Sequence, residues 1–268
     1  MVGKMEGKAF GDVYRRGSMV TDHSDGLEGK VFKCWRMEDS SEFAVKVVPK
    51  LVARSSEAVI LNELDNDNII RMHDWFEDDQ SLHLVLELAR GGDLFDHILN
   101  NRRLSEPKAA TVFRQLLQAV AYLHSKHIVH CDIKPENVLF VHADHSVAKL
   151  ADFGSARTSQ TGRQRDDREI ICSRDYAAPE LMTSGNITPA ADLWSLGALL
   201  YTMLAGAIPF PSASNNNPAS NRRGGGGGVG EEEAARLAFP RHVSADAQDL
   251  IRRLLVPSPK LRLDAHAA

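Results

Sequence analysis

Asp132, Lys134, Asn137 and Asp152 lie close together in the chain and carry side chains suited to moving a phosphoryl group. Such a transfer asks little covalent chemistry of a protein; it needs an oriented hydroxyl, a held cation and neutralised charge. Asp132 can accept the proton of an attacking hydroxyl, and Lys134 can meet the transferring phosphate as a point charge. Asn137 and Asp152 offer hard oxygen atoms, which suit a small octahedral cation that keeps several waters and shares phosphate ligands.

Several elements must position these groups. Val138-Leu139-Phe140-Val141 and Val147-Ala148-Lys149-Leu150 are short apolar runs joined by His142 to Ser146, a pattern that predicts a hairpin returning Asp152 beside Asn137. Phe43-Ala44-Val45-Lys46-Val47-Val48 alternates as a strand and sets one lysine among apolar neighbours. Ile60, Leu61 and Leu64 give the apolar stripe of a helix that carries Glu57 and Glu63. Val112, Phe113, Leu116, Leu117, Val120 and Leu123 predict a long core helix over 109–124, leading toward Asp132. His83 to Ala89 predicts another strand.

These motifs resemble the eukaryotic protein kinase family, whose catalytic loop reads H-R-D-x-x-x-x-N and whose metal loop reads D-F-G. Here they stand as His130-Cys131-Asp132 through Asn137 and as Asp152-Phe153-Gly154. The resemblance implies an α+β, two-lobed kinase fold, with a small antiparallel sheet and helix C in one lobe and a larger helical lobe. It implies ATP and Mg2+ as cofactors and Ser/Thr hydroxyls of proteins as acceptors. Asp132, Lys134 and Asn137 are then catalytic, and Asn137 and Asp152 the metal ligands. The nucleotide site comprises Ser24, Gly26, Gly29, Val31, Ala44, Lys46, Glu57, Glu87, Ala89, Asp93 and Leu139. Val31 stands fifteen residues before Lys46, the family's spacing, whereas the glycine cluster at Gly7 to Tyr14 is out of register. Asp93 is also read as an ordinary helix N-cap. Asp93 and Glu136 suggest peptides with basic residues upstream of the acceptor. Gly91 to Ile98 is similar to a stretch of the calcium/calmodulin-dependent kinase group. Asp192-Leu193-Trp194 resembles the start of the helix that braces the catalytic loop, Ala178-Pro179-Glu180 the end of the activation segment, and Arg262 the arginine that pairs with Glu180.

The sequence departs from that family in places. Cys131 replaces an arginine that usually grips an activation-loop phosphate, and Glu169 stands where a phosphothreonine is common, so activation without phosphate is expected. Ser173 aligns with a hydroxyl residue that contacts the catalytic aspartate in serine/threonine kinases. Only eleven residues separate Lys46 from Glu57, which either tethers helix C inward or prevents the pair. The second outcome leaves a pseudokinase, a binding or scaffold module without turnover.

With 268 residues, 43% hydrophobic and 25% charged, the chain is long enough to bury a core. Its net charge of −4 gives no footprint for nucleic acid or an anionic membrane. Three widely spaced cysteines and no apolar leader or spanning segment point to an intracellular, cytoplasmic setting. Residues 1–16 are expected as an extension, 17–88 as the first lobe and 89–268 as the second. Residues 211–233, rich in Asn, Gly and Glu, are expected as a flexible insertion, and Ala268 falls inside what would be the family's last helix.

Overall fold

The computed structural model describes residues 7–20, 29–51, 55–158, 172–211 and 237–265. Two compact units divide the chain: Met1–Gly92 with Phe140–Gly154, and Asp93–Leu139 with Ser155–Ala268.

In the first unit, β1 (Tyr14–Met19), β2 (Lys30–Arg36), β3 (Glu42–Pro49), β4 (Met72–Glu77) and β5 (Ser81–Leu86) form one antiparallel sheet in the order β1-β2-β3-β5-β4. Alternation in β3 divides its faces: Phe43 and Val45 join Tyr14, Cys34, Phe76 and Val85 in an apolar core, and Ala44 and Lys46 point the other way. Register puts Val31 directly opposite Lys46, which is where the fifteen-residue spacing leads. The Gly7 cluster opens into a short helix, α1 (Phe10–Val13), whose Phe10 ring stacks on Tyr14 and His83. Residues 14–16 belong to β1 of the sheet, so the division expected at 16/17 falls inside a strand. Helix α2 (Ser55–Asn62) buries Ile60 and Leu61. Residues 140–154 also belong to this unit, where the Val141 amide donates to the Val147 carbonyl near the closed end of the hairpin. The short strand β8 (Ala148–Leu150) lies in this unit, and β7 (Val138–Phe140) enters it at Phe140.

The second unit is mainly helical. Helix α3 (Leu94–Asn101) precedes α4 (Glu106–Ser125), which buries the expected Val112, Phe113, Leu116, Val120 and Leu123 and leaves Leu117 half-buried. Strand β6 (Ile128–Val129) pairs with β9 (Arg157–Thr158), and a 3-10 turn over Pro135–Asn137 carries the catalytic-loop motif onward. Helix α5 (Pro179–Ser184) is followed by α6 (Pro189–Ala205) and α7 (Ala245–Leu254). Helix α6 is apolar nearly all round and correspondingly buried. Both α5 and α6 end in left-handed glycines, Gly185 and Gly206. Among the described residues, no helix is long and apolar enough to cross a membrane. All but the first residue of the 211–233 insertion lies outside the described residues.

Candidate active site

In the first unit, Lys46 is 6% exposed and its Nζ lies 2.9 Å from Glu57 Oε1 and 2.9 Å from Asp152 Oδ1. A lone buried ammonium would be costly; here two carboxylates surround it. Burial pushes the Lys46 pKa down, but Glu57 and then Asp152 outweigh it and hold the ammonium above its ordinary range. The Phe153 amide donates to Glu57 as well. The short connection therefore permits the Lys46–Glu57 pair, and Glu63 is exposed. Asp152 has φ 60, a left-handed backbone, and its Oδ1 accepts from the Gly154 amide at 3.1 Å. A Cβ on Gly154 would come within 3.1 Å of that same oxygen, so a residue without one keeps the carboxylate free to take both donors.

The positions of this unit that the resemblance assigns to a nucleotide follow the strands. Val31 and Ala44 flank Lys46 on β2 and β3, and Ala44 is opposite Leu86 of β5. After β5, the Glu87 amide donates to the Arg71 carbonyl at 2.8 Å, and its carboxylate holds Lys149 Nζ at 2.7 Å. Glu87 is thereby fixed from both ends, and Ala89 beyond it is half-buried. Gly29 has φ 90, and a Cβ there would meet the Val47 carbonyl at 2.8 Å. Its glycine is thus required by close approach to β3 as well as by a left-handed turn. Ser24 and Gly26 lie outside the described residues.

The second unit gathers the other group around Asp132, which is 8% exposed. Asp132 Oδ1 accepts from the Ser173 amide at 2.9 Å, and Oδ2 meets Lys134 Nζ at 3.0 Å and Asn137 Nδ2 at 3.1 Å. Asn137 Nδ2 also donates to the Asp132 carbonyl at 2.9 Å. With its amide nitrogen committed to Asp132, Asn137 has Oδ1 as the atom it can offer a cation. Ser173 touches Asp132 through its backbone, where the alignment suggested its hydroxyl. Leu139 is half-buried and bridges Asp93. Asp93 caps α3, its Oδ1 accepting from the Asp96 amide at 2.7 Å.

Asp192, fully buried, explains the shape of the loop. Its carboxylate accepts from the His130 amide at 3.0 Å and the Cys131 amide at 3.0 Å, and lies 2.9 Å from His124 Nε2. Those donors hold Cys131 at φ 66, which an L-residue seldom adopts unaided. Sequence reasoning found Asp192 but missed His124. Position 124 sits in the last turn of α4, where histidine also reads as a plain helix-terminus residue. Lys149 was missed too, although a lysine flanked by Ala148 and Leu150 carries the same signal as Lys46.

Glu136 was expected from alignment alone, and the structure supplies its surroundings. Burial, then the nearby Asp132 and Asp93 carboxylates, push its carboxyl above the usual range against opposition from backbone hydrogen bonding and Lys134. Its Oε2 is buried with no hydrogen-bond partner among the described residues. Glu180 and Arg262 form the expected bidentate pair, at 2.7 and 3.0 Å, and the guanidinium also donates to the Ala190, Val256 and Pro257 carbonyls. Glu169 lies outside the described residues. Among the described residues, no cluster of three or more His, Cys, Asp or Glu could hold a metal alone.

The family model for a protein kinase domain matches residues 24–268. The chain is 37% identical to a putative ribosomal protein S6 kinase alpha-2 of Caenorhabditis elegans, over 90% of this chain and 34% of that protein. It is 33% identical to a 3-phosphoinositide-dependent protein kinase 1 of Arabidopsis thaliana, over 94% and 51% respectively. A calcium/calmodulin-dependent protein kinase of Metarhizium anisopliae is 34% identical over 91% of this chain and 60% of its own length. The chain thus spans between about a third and three fifths of these relatives. Given a match of that extent, and a lysine–glutamate pair and aspartate loop assembled as the motifs require, the chain belongs to the protein kinase domain family.

Proposed function

We propose that this protein transfers the γ-phosphoryl group of ATP to serine or threonine hydroxyls of protein substrates. The observation that carries the reading is the Asp132 carboxylate, oriented from one side by the Ser173 amide and from the other by Lys134 and Asn137. Bound ATP with Mg2+ supplies the activated phosphoryl group and the charge that offsets its oxygens. Asp132 accepts the proton of the substrate hydroxyl. Lys134 meets the charge on the phosphoryl oxygens, and Lys46, kept cationic by Glu57 and Asp152, contacts the phosphates. The Oδ1 of Asn137 and the Asp152 carboxylate would hold the cation. Such hard oxygen donors suit an ion that completes its shell with phosphate oxygens and water.

Ser173 at the aspartate favours serine and threonine over tyrosine acceptors, as the resemblance implies. The acidic pair of Glu136, whose Oε2 has no hydrogen-bond partner among the described residues, and nearby Asp93 favours substrates bearing an upstream arginine, whose guanidinium would form a charge-assisted bond there. The pseudokinase reading has no observation in its favour once Lys46 and Glu57 are seen paired. The test is magnesium-dependent transfer from labelled ATP to three peptides: a serine peptide with upstream arginines, the same peptide with glutamates instead, and its tyrosine counterpart. Transfer to the first is expected to exceed the others by at least about tenfold, the value of one charge-assisted contact. Equal or absent transfer would overturn the reading.

A further inference from the structure

Two stretches place arginines three and two residues ahead of a serine: Arg15-Arg16-Gly17-Ser18 and Arg102-Arg103-Leu104-Ser105. The fold treats them differently. Ser105 is the N-cap of α4, and its carbonyl accepts the first helical bond from Ala109 at 2.9 Å. Leu104 beside it is 5% exposed, with its amide on the Met203 carbonyl at 2.7 Å. Presenting Ser105 as an extended peptide would expose Leu104 and unwind the first turn of α4.

Ser18 needs far less rearrangement. It lies in β1, the edge strand of the sheet, which is already extended and offers its outer backbone edge to solvent. Arg15, Arg16 and Ser18 are all exposed, as are Met19 and Val20 after them. The β1–β2 register breaks between Arg16, opposite Cys34, and Met19, opposite Phe32. Gly17 and Ser18 therefore share the single position Lys33 across the ladder, the local disruption of a bulge. The two guanidiniums rest over Trp35 and Phe32, at 5.5 and 4.8 Å from the ring centroids. Cation–π contacts at exposed sites are weak, so they do not bar the arginines from another acidic partner.

We propose that Ser18 is a phosphoacceptor for a second copy of this chain. The proposal rests on the basic-directed kinase reading above. Arg15 and Arg16 would meet the acidic positions Glu136 and Asp93 of the acting copy, and Asp132 of that copy would take the Ser18 hydroxyl proton. A bond forms between Ser18 Oγ and the γ-phosphorus of ATP, the bond to the β,γ-bridging oxygen breaks, and ADP leaves. The product carries close to two negative charges opposite Lys33, on the strand that leads into the glycine segment.

To test this, a small amount of wild-type protein is incubated with ATP, Mg2+ and an excess of the Asp132→Asn chain as acceptor, and phosphate is mapped by mass spectrometry. Phosphate is expected on Ser18 at a rate at least about tenfold above Ser105, and an acceptor also bearing Arg15→Ala and Arg16→Ala slows by about tenfold or more. Wild-type protein alone should modify Ser18 faster per molecule as its concentration rises. A Ser18→Ala donor should phosphorylate the basic serine peptide at the wild-type rate. Phosphate on Ser105 or elsewhere ahead of Ser18 would overturn the proposal, as would an unmodified Ser18 while the peptide is phosphorylated. That last result leaves the kinase reading standing, whereas no transfer to the peptide either would overturn both.

Discussion

Lys46 shows how a single residue can serve two ends. Its ammonium neutralises Glu57 and Asp152 at 2.9 Å each, so replacing it with methionine leaves two carboxylates without their shared cation. Removing one partner of a buried pair typically costs about 3–5 kcal/mol. With Asp152 a quarter exposed, the lower part of that range is expected for Lys46→Met, read as a drop in denaturation midpoint. A variant as stable as wild type would mean the pair carries no weight. Glu136 gives a pH prediction. Its carboxyl is raised by burial, so as pH falls it gains a proton earlier than an ordinary glutamate. The KM for an arginine-bearing peptide should therefore climb at a pH above the normal carboxylate range, and Glu136→Gln should flatten that climb. For stability the sign is opposite: the cost of burying the ionised form is present at neutral pH and fades as pH falls through the raised pKa. Lys46 was legible as a lone lysine among apolar strand residues, and Asp132, Asn137 and Asp152 through motifs that resemble those of the kinase family. The solvation of Glu136 had no such signal, since its neighbour Asp93 arrives from more than forty positions away.

At the scale of elements, the strands of the first unit were legible because spacing along the chain becomes register across a sheet: Val31 meets Lys46. The extent of α4 was also legible, from one apolar stripe. Helix α2 was harder: the resemblance placed the lysine's partner at Glu57, but the connection is too short to compare with the usual pattern. Lys46 and Glu57 do pair, and the shortness itself now has a reading. Few residues separate Pro49 from Ser55, so α2 has little room to withdraw. Inserting five Gly/Ser residues after Lys50 should lower kcat and broaden the ensemble in which Lys46 and Glu57 are apart, measurable as faster amide exchange in α2. Unchanged exchange and rate would refute the tether. Helix α6 offers a packing test. A Cβ on Gly197 would lie 2.7 Å from Leu254 Cβ of α7, too close for either rigid atom to yield. Gly197→Ala should destabilise by about 1–3 kcal/mol through overpacking, outweighing the gain of up to about 1 kcal/mol in helix propensity. A denaturant midpoint above wild type would contradict this.

The molecule as a whole divides its chemistry. One unit holds Lys46, Glu57 and Asp152, and the other holds Asp132, Lys134 and Asn137. Within the second unit, Arg262 ties segments far apart in sequence: it reaches Glu180, Ala190, Val256 and Pro257 and lies over the Trp194 ring at 5.1 Å. Lysine cannot reproduce a planar fork with this many directed donors. Arg262→Lys keeps the charge but leaves buried acceptors without donors and should cost about 1–3 kcal/mol, and a chemical-denaturation curve within error of wild type would disprove it. The central claim is that Asp132 does chemistry while other groups hold the nucleotide. The most direct measurement compares wild type and Asp132→Asn for transfer to the basic serine peptide and for the rise in melting temperature on adding ATP and Mg2+. The account predicts that the variant keeps the thermal shift and loses transfer by about 10²–10⁴-fold, the range for a general base. Transfer at the wild-type rate by Asp132→Asn would contradict it.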